Sequence, residues 1–325
     1  MRRSFAGVWT LAALTLAGCG TAQSGPLGAG GASAGGVSAE PLCASKAPPY
    51  GEVPLTRATA TADAPRPPGS PSPVPSTTGT AQDGVRITRL YAGAIDEDGA
   101  CRPGSLTVEF EVTNPAPRDM TYTVVLDSTG YTGASRVVGP VGPGKTVRGR
   151  VAMGRSYGDI AGGTDVSIVS VRSIPSAEAP APGGPCPATG VRVYADQGDA
   201  AMGLRMVGLH LENCGKEPYT LDGRPELEII DADHKPVGGI QVLPSAQVAQ
   251  LGGPPDVVRS LTLRPGERAL SGIVWRNTVE AFGGAVNAPY LRVRAKAGAA
   301  PVMVTPELDL GTTGRLGVEA WRKEE

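Results

Sequence analysis

Long apolar runs are missing from this 325-residue chain: no stretch approaches the roughly 20 residues that a membrane-spanning helix needs. Excess charge is missing too. Thirty Lys and Arg stand against 31 Asp and Glu, and no basic patch marks a nucleic-acid partner. Large aromatics are few, with 3 Phe and 3 Trp, while 46 Gly and 31 Pro make up nearly a quarter of the chain. Much of the sequence must therefore be turn or tether. Only two histidines occur, His210 and His234, so a catalytic triad can draw its base from only those two positions. Carboxylate pairs show no spacing that separates a general acid from a base.

What is present begins at the N-terminus. Arg2 and Arg3 precede an apolar stretch from Phe5 to Leu16, followed by Ala17, Gly18 and Cys19. About a dozen apolar residues suit a signal-peptide core and fall short of a span. The pattern resembles a bacterial prolipoprotein signal. That resemblance implies a diacylglyceryl group on the Cys19 thiol and cleavage before Cys19, with residues 1–18 as the leader. Each buried methylene contributes about 0.8 kcal/mol, so two acyl chains anchor stably where one exchanges. The resemblance places the protein on the extracytoplasmic face of the cell membrane, with the membrane as a partner through lipid. Arg2-Arg3-Ser4-Phe5 also resembles a twin-arginine export signal, and the general secretory route stays open beside it.

Residues 19–82 read as the lipidated cysteine and a disordered tether. Gly, Ala, Ser, Thr and Pro dominate, as in Pro65-Arg66-Pro67-Pro68-Gly69-Ser70-Pro71-Ser72-Pro73, and such a segment has too little apolar surface to offset its ordering entropy. Leu42, Cys43, Tyr50, Val53 and Leu55 interrupt that texture. With Cys19 taken by lipid, Cys43, Cys101, Cys186 and Cys214 can pair in an oxidising space, by three connectivities. Cys43 with Cys101 and Cys186 with Cys214 keeps each bridge inside one domain. The first bridge would cut the free tether to residues 20–42, spanning roughly 25 Å instead of roughly 45 Å.

From Val85 the pattern turns to alternation. Leu106, Val108, Phe110 and Val112 are apolar while Thr107, Glu109 and Glu111 are polar, as in a half-buried strand. Val207, Leu209 and Leu211 repeat the pattern. Val112-Thr113-Asn114 before Tyr122 is answered by Leu211-Glu212-Asn213 before Tyr219, and Gly142-Pro143-Gly144-Lys145 by Arg264-Pro265-Gly266-Glu267. Each Pro-Gly pair fits the central positions of a type II turn. These landmarks predict an all-β chain of two immunoglobulin-like antiparallel sandwiches, residues 83–175 and 186–322, with 176–185 as linker. Ser245 to Leu251 reads as a helical turn, Thr278 to Asn287 as a loop or short helix, and Leu316 to Trp321 as the last strand.

Cys186-Pro187, Leu209-His210-Leu211-Glu212-Asn213-Cys214 and Tyr219-Thr220-Leu221-Asp222-Gly223-Arg224-Pro225 resemble the secreted domain of unknown function 4232 family, common in actinobacterial lipoproteins. The resemblance covers about the last 140 residues and implies a Cys186–Cys214 disulfide. It brings no activity, ligand or catalytic residue.

Several motifs invite chemistry. Gly139 to Thr146 matches G-x-x-x-x-G-K-[ST], but Pro140 and Pro143 have no N–H to offer a phosphate, and no nucleotide is expected. Gly154-Arg155-Ser156-Tyr157-Gly158 matches G-x-S-x-G without a helix pattern after it. Met202, Met206 and His210 suggest Cu(I) ligands, yet residues four apart on one strand lie about 13 Å apart. A bend, with Met303 approaching, would be needed. Asp96-Glu97-Asp98-Gly99 begins like a calcium loop but lacks the later glutamate, and Asp231 to His234 reads as a hairpin turn. No metal ligands, cofactor or catalytic residues are assigned. The expected function is non-enzymatic: a lipid-anchored envelope module that binds or scaffolds an envelope protein. A solute or copper carrier is the alternative, and an envelope hydrolase stands third. A carrier should show a concave apolar pocket, and a protein-binding module an exposed apolar patch or open sheet edge.

Overall fold

The computed structural model describes residues 40–41, 82–95, 101–154, 165–250, 256–279 and 284–324. Those described residues are strands and connections, with two single 3-10 turns at Ser176–Glu178 and Ser245–Gln247. Residues 36–325 form one compact unit. Cys19 and Cys43 lie outside the described residues, and with them the expected lipid site and the Cys43–Cys101 bridge.

The first sandwich sets β2 (Val85–Ile95), β3 (Cys101–Thr113) and β6 (Thr146–Met153) against β4 (Met120–Ser128), β5 (Tyr131–Val141) and β7 (Val166–Pro175). The strand orders are β2-β3-β6 and β5-β4-β7. A two-residue β1 (Glu40–Pro41) adds to the edge of β2 in parallel, opposite Tyr91 and Ala92. Leu106, Val108, Phe110 and Val112 of β3 meet Met120, Tyr122, Val124 and Leu126 of β4 in the core. Each set alternates because successive side chains of a strand point to opposite faces. The Phe110 ring lies over Gly149, where a Cβ would sit 2.5 Å from Cζ.

The polar face of β3 is less exposed than its alternation predicts. Glu109 is only 6% exposed, covered by the Arg150 guanidinium at 2.7 Å and by the Tyr91 ring beneath that guanidinium. One register step away, Arg86 and Arg148 flank Glu111 at 2.9 and 3.3 Å. The central strand carries carboxylates and both neighbours carry guanidiniums, so cross-strand pairs roof this face. The pair of guanidiniums holds the Glu111 carboxyl below the ordinary glutamate range.

The second sandwich is built from β8 (Val191–Ala195), β9 (Asp199–Ala201), β10 (Leu204–Asn213), β11 (Tyr219–Asp222), β12 (Glu226–Ile230), β13 (Gln241–Pro244), β14 (Ser260–Leu263), β15 (Arg268–Arg276), β16 (Val286–Ala288), β17 (Tyr290–Arg294), β18 (Val302–Val304), β19 (Leu308–Gly311), β20 (Arg315–Val318) and β21 (Arg322–Lys323). One sheet runs β13-β20-β15-β10-β8, with β13 parallel to β20. The strands β12-β17-β18 form another sheet, and β11-β14 and β16-β19 are short pairs. Val207, Leu209 and Leu211 face a core that includes Trp275, Leu291 and Trp321. Both indoles are satisfied: Trp275 donates to the Asp309 carboxylate at 2.6 Å and Trp321 to the Ala295 carbonyl at 2.8 Å.

Two sequence expectations need correction here. The last long strand ends at Val318 instead of running to Trp321, because Asp256 accepts the Ala320 N–H at 2.7 Å while pairing with Arg224 at 2.7 Å, and this draws the chain off the sheet. Within Thr278 to Asn287, Val286 and Asn287 enter β16 opposite β19, while residues 280–283 lie outside the described residues.

The two sandwiches repeat one device in atomic detail. Buried Asn114 donates its amide to the carbonyls of Arg118 and Val141 at 2.8 and 2.7 Å, and its Oδ1 accepts the Ala116 N–H. Buried Asn213 donates to Glu217 and Leu263 at 2.9 Å each, and its Oδ1 accepts the Gly215 N–H. The backbone follows suit. Gly144 donates to the Asn114 carbonyl and Gly266 to that of Asn213, at 2.8 and 2.7 Å, and each Asn N–H returns a bond to Lys145 or Glu267. Both Pro-Gly turns close as expected, Lys145 to Gly142 and Glu267 to Arg264 at 3.0 Å, with Gly144 and Gly266 at φ 65° and 83°. The tyrosines do not correspond. Tyr122, not Tyr219, bonds the repeated asparagine. Counting from Asn213 places Leu221 where Tyr122 stands, and the register agrees, since Tyr219 pairs with Leu263 as Met120 pairs with Val141.

Candidate binding cleft at the joint of the two sandwiches

β7 is an edge strand of the first sandwich, paired only with β4 among the described residues. The C-terminal end of this strand, from Arg172 to Ile174, meets the second sandwich. The Ser173 N–H donates to the Tyr290 hydroxyl at 3.1 Å, and Ser173 Oγ meets His234 Nε2 at 3.2 Å. Beside them Ile174, Ile230, Tyr290 and Met303 form a small buried apolar cluster with Ala179 against it. Arg172 grips Glu307 through two parallel bonds of 2.6 and 2.8 Å, the fork geometry that favours Arg over Lys. Glu307 raises the Arg172 pKa further.

The linker takes part as well. Pro175, Pro180, Pro182, Pro185 and Pro187 restrict its backbone. Its 3-10 turn is tied to the first sandwich by Ser176, whose N–H donates to the Asp119 carbonyl and whose hydroxyl meets Thr121. Glu178 of the same turn binds Arg292 of β17 at 2.8 Å, and Arg292 also holds Glu228. Residues 176–185 are thus a strap across the joint.

Along this joint lies a cleft of about 250 Å³ whose walls include Thr123, Arg172 and Ile174 from one sandwich, Tyr194 and Met303 from the other, and Pro182 of the strap. Its lining joins apolar Ile174, Met303 and Val304 to the hydroxyls of Thr121, Thr123 and Thr305 and the Asp196 carboxylate. Val137, exposed on β5, extends the apolar wall. At the Asp196 end, the His210 ring stacks on Tyr194 at 5.1 Å and lies between two carboxylates, Asp196 at 3.3 Å and Glu324 at 3.5 Å. Larger hollows of about 290 to 510 Å³ lie elsewhere on the second sandwich, among them one of about 510 Å³ among Asp256, Arg259, Glu319 and Arg322, and one of about 370 Å³ along alanines beside the strap. The first mixes charges of both signs. The second is lined mainly by small apolar side chains.

The motifs singled out in sequence fall as follows. Cys186 and Cys214 are bonded, with Cα atoms 5.6 Å apart, fastening the start of the second sandwich beside the Asn213 device. The copper trio does not converge: Met202 is 99% exposed at the tip of the β9–β10 hairpin, while Met303 is buried in the joint. Among the described residues no three His, Cys, Asp or Glu side chains are grouped to hold a metal ion. In the phosphate-loop match, the Gly144 and Lys145 N–H groups are spent on Asn114 and Gly142. Residues 155–158 of the G-x-S-x-G match and residues 96–99 lie outside the described residues. Asp231 to His234 is a hairpin turn, where Asp231 Oδ1 accepts the N–H groups of Asp233 and Lys235 and His234 takes φ 61°. Sequence reasoning identified that turn but missed that it sets His234 into the joint, because no periodicity reports a contact between domains.

These features define a tandem all-β sandwich protein with a joined interior face. Residues 186–322, which hold the second sandwich, match the model of the family described as a domain of unknown function (DUF4232). No curated protein matches the chain. Among solved structures, a Bacteroides fragilis protein assigned as a beta-galactosidase aligns over 73% of this chain and 41% of its own length, at 12% identity and a TM-score of 0.17. A TM-score that low carries no argument about fold or activity.

Proposed function

We propose that this chain is a lipid-anchored cell-envelope protein whose two joined sandwiches form a non-enzymatic binding or scaffold module for an envelope protein. The observation that carries the reading is the joint. Two sandwiches strapped by Arg172–Glu307, Arg292–Glu178 and Ser173–Tyr290 act as one preorganised surface, which lowers the ordering cost of holding a partner. The Leu16-Ala17-Gly18-Cys19 leader supports the anchor. The pairing of Glu40–Pro41 with β2 supports a free tether of about 20 residues, with an r.m.s. reach of roughly 25 Å. A Cys43–Cys101 bridge would secure the same edge.

Membrane fractionation of wild type beside Cys19→Ala tests the anchor: loss of the lipid-labelled band and of membrane retention is expected, and unchanged labelling and retention contradict it. A solute carrier is the second reading, favoured by the apolar residues that line the 250 Å³ cleft. Native mass spectrometry of the intact protein separates the two. A retained stoichiometric small molecule or metal ion supports the carrier, and bare protein supports the module.

A further inference from the structure

His234 is one of only two histidines in the chain, and it sits where the sandwiches meet. Its ring stacks on Tyr290 at 4.7 Å with an interplanar angle of 18°, and its Nε2 faces Ser173 Oγ at 3.2 Å. Tyr290 in turn accepts the Ser173 N–H and belongs to the buried cluster with Ile174, Ile230 and Met303. One imidazole therefore touches both the hydrogen bonds and the apolar seal of the joint.

We infer that the joint is a proton-operated clasp: protonation of His234 loosens the contact between the sandwiches and opens the cleft that shares Ile174 and Met303 with it. The charges around the ring favour its neutral form. Arg118 faces it from the β3–β4 connection and Arg292 from β17, both cationic. Its own turn supplies Asp231 and Asp233, which favour the cation. Asp231, however, is committed to two backbone N–H groups, and Asp233 leans toward Lys235 at 3.4 Å. Tyr290 and Ser173, the remaining neighbours, are uncharged. A charged ring would gain some attraction from the Tyr290 face and hydration on its exposed side, but partial burial against the joint and the two guanidiniums lower the His234 pKa from the ordinary 6.5.

The sign follows from linkage. A histidine whose pKa is lower in the closed joint than in the open one adds full stability to closure above pH 6.5. It loses that contribution as pH falls below 6.5 toward the closed-state pKa. One proton limits the effect to a tenfold rise in the open population per pH unit within that window.

Hydrogen exchange on the full chain between pH 7.5 and 5.0, corrected for intrinsic rate, reads this directly. The Ser173 amide and the amides of β18 should open up to tenfold more per pH unit below 6.5, while Leu106 to Val112 of the first core keep their protection. His210→Asn should leave that response in place. His234→Asn, which suits the left-handed backbone, should abolish it. A flat wild-type response, an undiminished response in His234→Asn, or loss of the response in His210→Asn instead would overturn the proposal. Should His234→Asn fail to fold, imidazole titration of the wild type by NMR decides: His234 titrating below 6.5 supports the clasp, and His234 titrating at or above 6.5 sinks it.

Discussion

Arg172 and Glu307, 135 residues apart in sequence, face each other across the joint with two parallel hydrogen bonds of 2.6 and 2.8 Å. The pair sets the first sandwich's edge strand against the second sandwich, and Glu307 adopts φ 54° to complete it. A left-handed glutamate is uncommon and costs backbone energy. The fold maintains that cost where the two domains meet.

The energetic contribution of the pair is modest, because Arg172 is 26% and Glu307 52% exposed. A double-mutant cycle of Arg172→Ala and Glu307→Ala should give a coupling of about 0.5–1 kcal/mol, shrinking with added salt. The check is chemical denaturation at low and high ionic strength. Zero coupling at low salt contradicts a role for the pair in closure.

Asn114 and Asn213 should matter more than any surface pair. Each is buried and satisfies two carbonyls, so Asn→Ala strands both acceptors and should destabilise its own sandwich by roughly 2–4 kcal/mol. Denaturation followed by Trp275 and Trp321 fluorescence reports the Asn213→Ala loss, since every tryptophan of the described residues lies in the second sandwich. Equal stability in wild type and Asn213→Ala contradicts the shared device.

The Cys186–Cys214 bridge closes a loop of sequence separation 28. Replacing both cysteines by serine should lower the stability of the second sandwich by about 3–4 kcal/mol on the chain-entropy estimate. The first sandwich should keep its own unfolding behaviour, read by hydrogen exchange of β3.

Asp256 gives the C-terminal closure an acid limit. Burial opposes its charge, but the Ala320 N–H and the Arg224 guanidinium outweigh burial and hold its carboxyl below the ordinary 3.8. A depressed carboxylate pKa contributes stability that is full above 3.8 and lost as pH falls through the folded value. Asp256→Asn should therefore be less stable than wild type near pH 7, and the gap should narrow below pH 3.8. Thermal unfolding across that range checks it, and a gap independent of pH contradicts the assignment.

Much of this architecture was legible in the residues. Leu106 to Val112 and Val207 to Leu211 announced strands because burial on one face imposes a period of two. The Asn and Pro-Gly landmarks announced a duplication because each does a job only that residue type performs. Matching Tyr122 to Tyr219 failed because letters can recur out of register, and the register is set by pairing with Val141 and Leu263. The end of the last long strand was hidden because it depends on Asp256, 64 residues from Ala320. The cleft was equally hidden. Its walls come from β4, β7, the strap, β8 and β18, and no local pattern tells a strand that its free edge will meet another domain.

The most direct test of the module reading is affinity capture of the intact protein from crosslinked envelopes, with mass spectrometry of everything retained. The account predicts a stoichiometric protein partner. A retained small molecule or metal ion without any protein partner would contradict it.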